Sequence, residues 1–255
     1  MGERDRHEHG TFSWTDLTTP DAEAAKAFYG GLFGWDFEDN PVPGGGVYVM
    51  ARIGGRAVAA LYEDGSRHPA WAPYVTVDDA DAVTARAREL GANVLAEPFD
   101  VMEAGRMATL QDPTGAVFCV WEPRQSIGAE LVNAPGALTL NQLNNTTDPE
   151  AALRFYSELF GWRIEPVPGA DIPYWGIYRG ERMNGGMMQM PPDSPTPSHW
   201  LVYFGIDDID AAAERIGSSG GGVLVPKTDV PGGQIVVAQD QQDAIFALFA
   251  GHFDD

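Results

Sequence analysis

The chain has a single cysteine, Cys119, and few basic residues. One cysteine excludes an intrachain disulfide, and nothing in the cysteine usage points to an oxidising compartment. Sixteen lysines and arginines stand against 37 acidic residues, a formal net charge of −21. Because contacts to phosphate groups need clustered basic side chains, this balance argues against nucleic acid and against anionic membranes as partners.

Long apolar runs are also lacking. The stretch IFALFAG at 245–251 is among the longest, far below the roughly 20 residues that span a bilayer. The N-terminal MGERDRHEHG is rich in charge and has no apolar centre of the kind found in secretory signals. We therefore expect a cytoplasmic protein in which residues 1–10 form a disordered tail.

The chain does contain repeats. Three pairs of segments match each other at nearly constant spacing, 127 to 129 residues: AKAFYGGLFGW (25–35) with ALRFYSELFGW (152–162), VDDADA (77–82) with IDDIDA (206–211), and QDPTGAVF (111–118) with QDQQDAIF (239–246). Constant spacing indicates two copies of one domain. We place copy 1 at 11–123, a linker at 124–136 and copy 2 at 137–252, and we expect the copies to pack together as an internal pseudo-dimer in a monomer or weak homodimer.

Each copy alternates between short strands and amphipathic helices. In copy 1 a strand at 11–18 precedes a helix that starts after Pro20 and ends at Gly34, and three strands follow. The pattern then repeats with a strand at 72–77, a helix at 78–90 and three more strands. This predicts an α+β fold with two βαβββ modules in each copy. The repeated FYxxLFGW is then a structural motif that joins a helix to a sheet, since an apolar stripe at helical spacing is usually core.

These motifs together resemble the vicinal oxygen chelate superfamily, which includes glyoxalase I, extradiol dioxygenases and bleomycin-resistance proteins. The resemblance covers both copies and is nearest to two-domain actinobacterial members described as hydroxylase-like or glyoxalase-like. It implies tandem glyoxalase-like domains in which each pair of βαβββ modules forms a curled mixed-sheet cup. Enzymes of the superfamily hold a divalent metal in that cup through His, Glu or Gln side chains.

The positions that match those metal ligands carry different residues here. They are Trp14, Ala60, Ala72 and Cys119 in copy 1, and Leu140, Gly186, Leu201 and Ala247 in copy 2. Seven of the eight cannot coordinate a hard cation, and Cys119 is an isolated soft ligand. We therefore expect no metal site and no cofactor.

Three polar residues are candidates for catalysis. Asp16 shares a strand face with Trp14, so a carboxylate with a raised pKa could act there as a base; a structural hydrogen-bonding role is the alternative. His68 and His199 precede equivalent strands and could place an imidazole at each cup rim, or could be ordinary loop histidines.

Aromatic and sulfur-containing residues on the predicted strands suit a flat, polarisable ligand, and they suit a filled core equally well. The predicted ligand-binding residues are Trp14, Asp16, Tyr48, Ala72, Tyr74 and Cys119 in copy 1, and Gln142, Trp175, Met188 and Tyr203 in copy 2. Small residues at the former ligand positions are expected to leave space in a cup.

Two functions remain open at this point. The first is metal-independent binding of a small, aromatic or apolar organic molecule in a cup, as in drug-sequestering relatives. The second is a cofactor-independent hydroxylase, oxygenase or lyase acting on an aromatic metabolite. The sequence does not distinguish the two cups.

Overall fold

The structure, a computed structural model, describes residues 2–43, 45–169, 172–191, 193–194 and 196–253. Copy 1 contains β1 (Phe12–Thr19), α1 (Ala22–Phe33), β2 (Asp36–Pro41), β3 (Val47–Ile53), β4 (Arg56–Glu63), β5 (Ala70–Thr76), α2 (Ala80–Glu89), β6 (Asn93–Val101), β7 (Gly105–Gln111) and β8 (Val117–Pro123). Copy 2 contains β9 (Leu138–Asn145), α3 (Pro149–Phe160), β10 (Arg163–Pro166), β11 (Tyr174–Arg179), β12 (Arg182–Gln189), β13 (His199–Gly205), α4 (Ile209–Ser218), β14 (Gly222–Val230), β15 (Gly233–Gln239) and β16 (Ile245–Gly251).

Each copy forms one mixed sheet of eight strands. The orders are β2-β3-β4-β1-β5-β8-β7-β6 and β10-β11-β12-β9-β13-β16-β15-β14, so the two sheets have the same topology. The first strand of each copy lies between a parallel and an antiparallel neighbour. The sheets are curled but not closed, and the predicted α+β fold of two tandem domains is confirmed. Among the described residues, none of the helices is long and apolar enough to span a membrane.

Each of the helices α1 to α4 begins with an aspartate that caps its N-terminus: Asp21, Asp79, Asp148 and Asp208. The Asp21 carboxylate, for example, accepts a hydrogen bond from the backbone N–H of Ala24 at 2.9 Å. Caps of this kind satisfy N–H groups that have no partner within the helix. α1 ends at Gly34, whose φ of 71° lies in the left-handed region that glycine tolerates best.

The helix side of each sheet is buried against the other copy. One core joins the first module of copy 1 to the second module of copy 2 and contains Phe28, Leu61, Phe204 and Phe246. The other joins the second module of copy 1 to the first module of copy 2 and contains Phe118 and Phe155. These two hydrophobic cores therefore lie between the copies.

Buried hydrogen bonds cross between the copies at two related places. The hydroxyl of Tyr29 in α1 donates to Asp240 Oδ2 of copy 2 at 3.0 Å. The hydroxyl of Tyr156 in α3 donates to Asp112 Oδ2 of copy 1 at 2.7 Å. Each tyrosine oxygen also accepts an indole N–H, from Trp71 at 3.0 Å and from Trp200 at 2.8 Å respectively. We call these two arrangements the crossed Tyr–Asp pairs.

The tryptophan that ends the repeated motif makes a second crossed contact. Trp35 Nε1 donates to Gly136 O at 2.8 Å, and Trp162 Nε1 donates to Gly10 O at 2.7 Å. Each glycine stands just before the first strand of the other copy. FYxxLFGW therefore does more than join a helix to its own sheet, because its tyrosine and tryptophan also bind the partner copy.

The prediction that residues 1–10 form a disordered tail is wrong for residues 2–10. Residues 2–7 pack along the linker, and Gly10 N donates to Thr76 O of β5 at 2.8 Å. Glu3 forms an antiparallel bridge with Leu131, and Val132 N donates to Gly2 O at 2.8 Å. His7 Nε2 lies 2.7 Å from Ala129 O. Met1 lies outside the described residues. Charge content could not reveal this pairing, because backbone groups make it with a segment more than 120 residues away.

Candidate functional site

The concave face of the first sheet, which we call cup 1, is lined by aromatic and small side chains. Strand alternation directs Trp14 and Asp16 of β1 into the cup, whereas Leu17 joins the core between the copies. The cup lining also includes Tyr48, Met50, Ala60, Ala72, Tyr74, Cys119 and Trp121. Ala72, Tyr48, Tyr74 and Cys119, four of the predicted ligand-binding residues, thus line the cup.

Asp16 lies at the centre of a hydrogen-bond network in cup 1. Its Oδ2 accepts from the hydroxyl of Tyr74 at 2.8 Å and from the hydroxyl of Tyr48 at 3.1 Å. The Tyr48 oxygen accepts in turn from Trp14 Nε1 at 2.9 Å. β1, β3 and β5 position these groups through the register that pairs Asp16 with Ala72 and Trp14 with Tyr74. The network brings together four of the predicted ligand-binding residues.

Burial raises the pKa of Asp16 from 3.8 to about 6, although the two tyrosine hydrogen bonds oppose the rise. The side chain is half-buried, so the cup leaves a path to solvent. Burial, and then the charge of Asp16, raise the pKa values of Tyr48 and Tyr74 well above 10. The phenols therefore stay protonated and donate, while the carboxyl can gain or lose a proton near neutral pH.

Cys119 lies in the same cup but is not a reactive thiol. Burial, and then the charge of Asp16, raise its pKa to about 12. Its Sγ lies 3.6 Å from Thr109 Oγ1. The thiolate is the nucleophilic form, so the protonated thiol of Cys119 is unreactive at neutral pH. Its contribution to the cup is packing.

The corresponding face of the second sheet, cup 2, carries a neutral network. Tyr203 donates to Gln142 Oε1 at 3.3 Å, and Gln142 Nε2 donates to Asn144 Oδ1 at 2.7 Å. Asn144 Nδ2 lies 3.0 Å from His199 Nε2, and His199 Nδ1 lies 2.8 Å from Pro197 O. A carbonyl can only accept, so Nδ1 carries the proton and Nε2 accepts from Asn144. The register pairs Gln142 with Gly186 as it pairs Asp16 with Ala60, so Gln142 stands where Asp16 stands in cup 1.

One predicted residue of cup 2 faces the wrong way. Trp175 packs against the core between the copies, and its neighbour Tyr174 takes the place expected for it. A displacement of one residue along a strand reverses the face, which explains the error. Met188 pairs with Tyr174 across the strands, while adjacent Met187 joins the core, so Met188 faces cup 2.

The two candidate histidines differ in setting. His68 is exposed in the loop before β5 and has no hydrogen bond to any described residue, so it takes no part in the Asp16 network. His199 is half-buried and belongs to the cup 2 network. Sequence reasoning missed Asn144, Trp121 and Tyr174. Asn144 and Trp121 lie two residues beyond candidates on the same strand, so strict alternation would have found both.

At three of the four small residues in former ligand positions the expected empty space is filled, while Ala72 in cup 1 is only half-buried. Ala60 and Ala247 are fully buried, and a Cβ built on Gly186 would lie 1.9 Å from the Tyr174 hydroxyl. Two large cavities lie elsewhere, and neither includes Asp16. One, of about 500 Å³, reaches cup 1 through Met50 and Ala57. The other, of about 540 Å³, lies between residues 4–8 and the second sheet.

The side chains in the cups do not fit a divalent cation. The four positions in cup 1 that match the superfamily's ligands carry an indole, two methyl groups and a protonated thiol, and those in cup 2 carry only apolar groups. Among the described ranges, no three His, Cys, Asp or Glu side chains lie together as a metal site would need. Divalent metals in proteins need several such donors.

Comparison with known proteins identifies the family. The model of the "Glyoxalase/Bleomycin resistance protein/Dioxygenase superfamily" matches residues 11–120 and again 139–247. The chain belongs to this superfamily. This confirms the resemblance in the sequence motifs.

Two of the relatives found match this chain along nearly its whole length. "Putative glyoxylase CFP32" of Mycobacterium tuberculosis is 42% identical over 97% of each chain. The anthracycline biosynthesis protein DnrV of Streptomyces peucetius is 34% identical over 95% of this chain and 94% of its own.

Solved structures share the fold. The Mn(II)-bound glyoxalase from Novosphingobium aromaticivorans has a TM-score of 0.66 at 16% identity, with 97% of this chain and 85% of that chain covered. The 2,3-dioxygenase LapB from Pseudomonas sp. KL28 also has a TM-score of 0.66, at 14% identity, with 97% and 94% covered. At such identities the likeness concerns the fold alone.

Proposed function

We propose that this protein binds a small aromatic organic molecule with a hydroxyl or carbonyl group in cup 1, and that it does so without a metal. The observation that carries the proposal is the Asp16 carboxyl, held by Tyr48 and Tyr74 within an aromatic lining. Aromatic walls with a few placed polar groups are typical of small-molecule sites.

The hydrogen bonds around Asp16 leave one acceptor for a ligand. Both tyrosines donate to Oδ2, so Oδ1 is the atom that would accept from a ligand hydroxyl. The 500 Å³ cavity that reaches Met50 offers the ligand a way to the cup. The relationship to DnrV supports an aromatic ligand, since its name places that protein in anthracycline biosynthesis and anthracyclines are polycyclic aromatic compounds.

The pKa of Asp16, about 6, favours a second candidate function, proton transfer without a cofactor. The carboxylate would take a proton from an acidic C–H beside a carbonyl, and the C–H electron pair would form an enolate. Departure of a leaving group from the adjacent carbon would complete a lyase reaction, with the proton returned to that group. A hydroxylase reaction would need two co-reactants: molecular oxygen, which would add to the enolate carbon as a hydroperoxide, and a two-electron reductant, which would cleave the O–O bond to give the hydroxyl group and water.

Thermal unfolding with a panel of hydroxylated naphthoquinones and anthraquinones tests the proposal. A bound compound should raise Tm, and Asp16→Asn and Ala72→Phe should each weaken binding at least about tenfold. Gln142→Leu, the matched change in cup 2, should leave binding unaltered. Recovery of the compound by mass spectrometry separates binding from turnover, because a binding protein leaves it unchanged.

Two results would overturn the proposal. One is binding that survives both cup 1 substitutions but is lost in Gln142→Leu. The other is a divalent metal that remains in stoichiometric amount after dialysis against chelator and that binding requires.

A further inference from the structure

The cavity of about 540 Å³ outside cup 1 has an unusual charge for this protein. Its wall includes four arginines, Arg4, Arg6, Arg179 and Arg182. They make up a quarter of the 16 basic residues in a chain of net charge −21. The acidic residues Asp5, Glu8 and Glu181 share the wall, so the local charge is close to balanced while the rest of the chain is strongly acidic.

Some of these arginines are available to a ligand. Arg179 is already paired with Glu8, and Arg4 donates to Glu3 O at 2.9 Å. Arg6 and Arg182 form no ion pair with any residue that the structure describes. Guanidinium groups match the geometry of carboxylates, so these two are the ones that would bind an anion.

Asn141 also lines this cavity, and its buried side chain carries an oxygen that has no partner among the described residues. Asn141 is 1% exposed, and its Oδ1 has no hydrogen bond within the described part of the chain. Buried amide oxygens are nearly always paired, because an unpaired one costs free energy. A hydroxyl group of a ligand would supply the missing donor.

The same place in copy 1 is filled by the protein's own carboxylate. Glu130 of the linker accepts from Ala57 N through Oε2 at 2.8 Å, and its own N–H donates to Ala57 O at 2.8 Å. The register of β1 with β4 and of β9 with β12 makes Met183 the counterpart of Ala57. Met183 lines the open cavity. Among the described residues, no carboxylate makes the corresponding contact with Met183 in copy 2.

We propose that this cavity is a second binding site, for a small organic acid that also carries a hydroxyl group. The carboxylate pairs with Arg6 and Arg182, and the hydroxyl donates to Asn141 Oδ1. The cavity volume lies in the range of small-molecule sites. The site does not depend on the function proposed for cup 1, since none of its lining residues belongs to the Asp16 network.

Isothermal titration with malate and succinate at low ionic strength tests this inference. The two dianions differ by one hydroxyl group, so malate should bind about fivefold to tenfold more tightly. Asn141→Ala should bring the two Kd values together. That ratio is measured within one variant, so it does not depend on the variant's stability.

Arg6→Gln/Arg182→Gln should raise the malate Kd at least about tenfold. Arg86→Gln/Arg88→Gln on α2 removes the same charge from residues that do not line the cavity, and it should leave the Kd unchanged. Three results would overturn the inference: no binding of malate, equal binding of malate and succinate by the unaltered protein, or an equal loss of binding in both arginine variants.

Discussion

The two copies agree on their helix side and differ in their cups. On the helix side the crossed Tyr–Asp pairs and the crossed Trp–Gly contacts repeat with nearly the same atoms and distances. In the cups, Asp16 of copy 1 is replaced by Gln142 of copy 2 at the same register position. Each helix side must fit the other copy, whereas each cup faces solvent and is free to acquire its own chemistry. The motifs that repeat in both copies therefore identify the fold, and the cup positions that differ between the copies indicate where their chemistry differs.

The largest effect should come from breaking a crossed pair. Asp112 accepts hydrogen bonds from Thr114 N, Thr114 Oγ1, Ala116 N and the Tyr156 hydroxyl at 2.7–3.0 Å. Asp112→Ala leaves these buried donors without a partner and should lower the free energy of unfolding by about 3–4 kcal/mol. Denaturant unfolding measures the loss.

Asp240→Ala should cost a similar amount, because Asp240 accepts from Tyr29, Gln242 N and Ala244 N in the same way. Asp36→Ala, at an exposed aspartate, is the control and should change stability by less than about 0.5 kcal/mol. A large cost for one buried aspartate and none for the other would show that the two crossed pairs are not equivalent.

The next effect concerns the carboxyl of cup 1. A pKa raised from 3.8 to about 6 means that the folded protein holds this proton more tightly than the unfolded chain does. Asp16 therefore lowers stability as pH rises from about 4 to 6, and the penalty persists above that range. Asp16→Asn should remove the penalty and stabilise the protein at pH 8 by at most about 3 kcal/mol. The gain should fall below this bound because water reaches the half-buried carboxyl and screens its charge.

Thermal unfolding at pH 4 and pH 8 checks this. Asp16→Asn should be more stable than the unaltered protein at pH 8 and no more stable at pH 4. A gain of equal size at both pH values would point to packing instead of charge.

Introducing a charge into cup 2 should destabilise the protein at pH 8, whereas removing the charge from cup 1 should stabilise it. Gln142→Glu replaces the amide donor that serves Asn144 Oδ1 at 2.7 Å with a carboxylate oxygen. Two acceptors then face each other in a buried position, so the variant should lose about 1–2 kcal/mol at pH 8. Protonation should restore much of this at pH 4. A neutral effect at pH 8 would mean that cup 2 tolerates charge as well as cup 1 does.

Sequence reasoning succeeded where the signal was local or repeated. Helix boundaries followed from capping aspartates and glycines, the two copies from constant spacing, and the shared face of Trp14 and Asp16 from period-2 alternation. It failed for Trp175, where a shift of one residue reversed the face, and for residues 2–10, which pair with a distant segment. The Asp16 network was beyond it too, because only the folded register brings Tyr48 and Tyr74 of separate strands to one carboxyl oxygen.

The smallest effect is expected at the thiol. With its pKa raised to about 12, Cys119 is almost wholly protonated at pH 8. Iodoacetamide should leave the folded protein unmodified over hours and label it once it is unfolded in guanidinium. Mass spectrometry provides the readout, and rapid labelling of the folded protein would contradict the buried position of Cys119 in cup 1.

Titration of the Asp16 side chain tests the central claim most directly, that cup 1 alone places a carboxyl where it exchanges a proton near neutrality. The protein labelled with ¹³C at aspartate carboxyl carbons is followed by NMR from pH 4 to 8, and Asp16→Asn assigns the signal. The account predicts a midpoint near pH 6. A midpoint near 4, the value of an ordinary exposed aspartate, would contradict it.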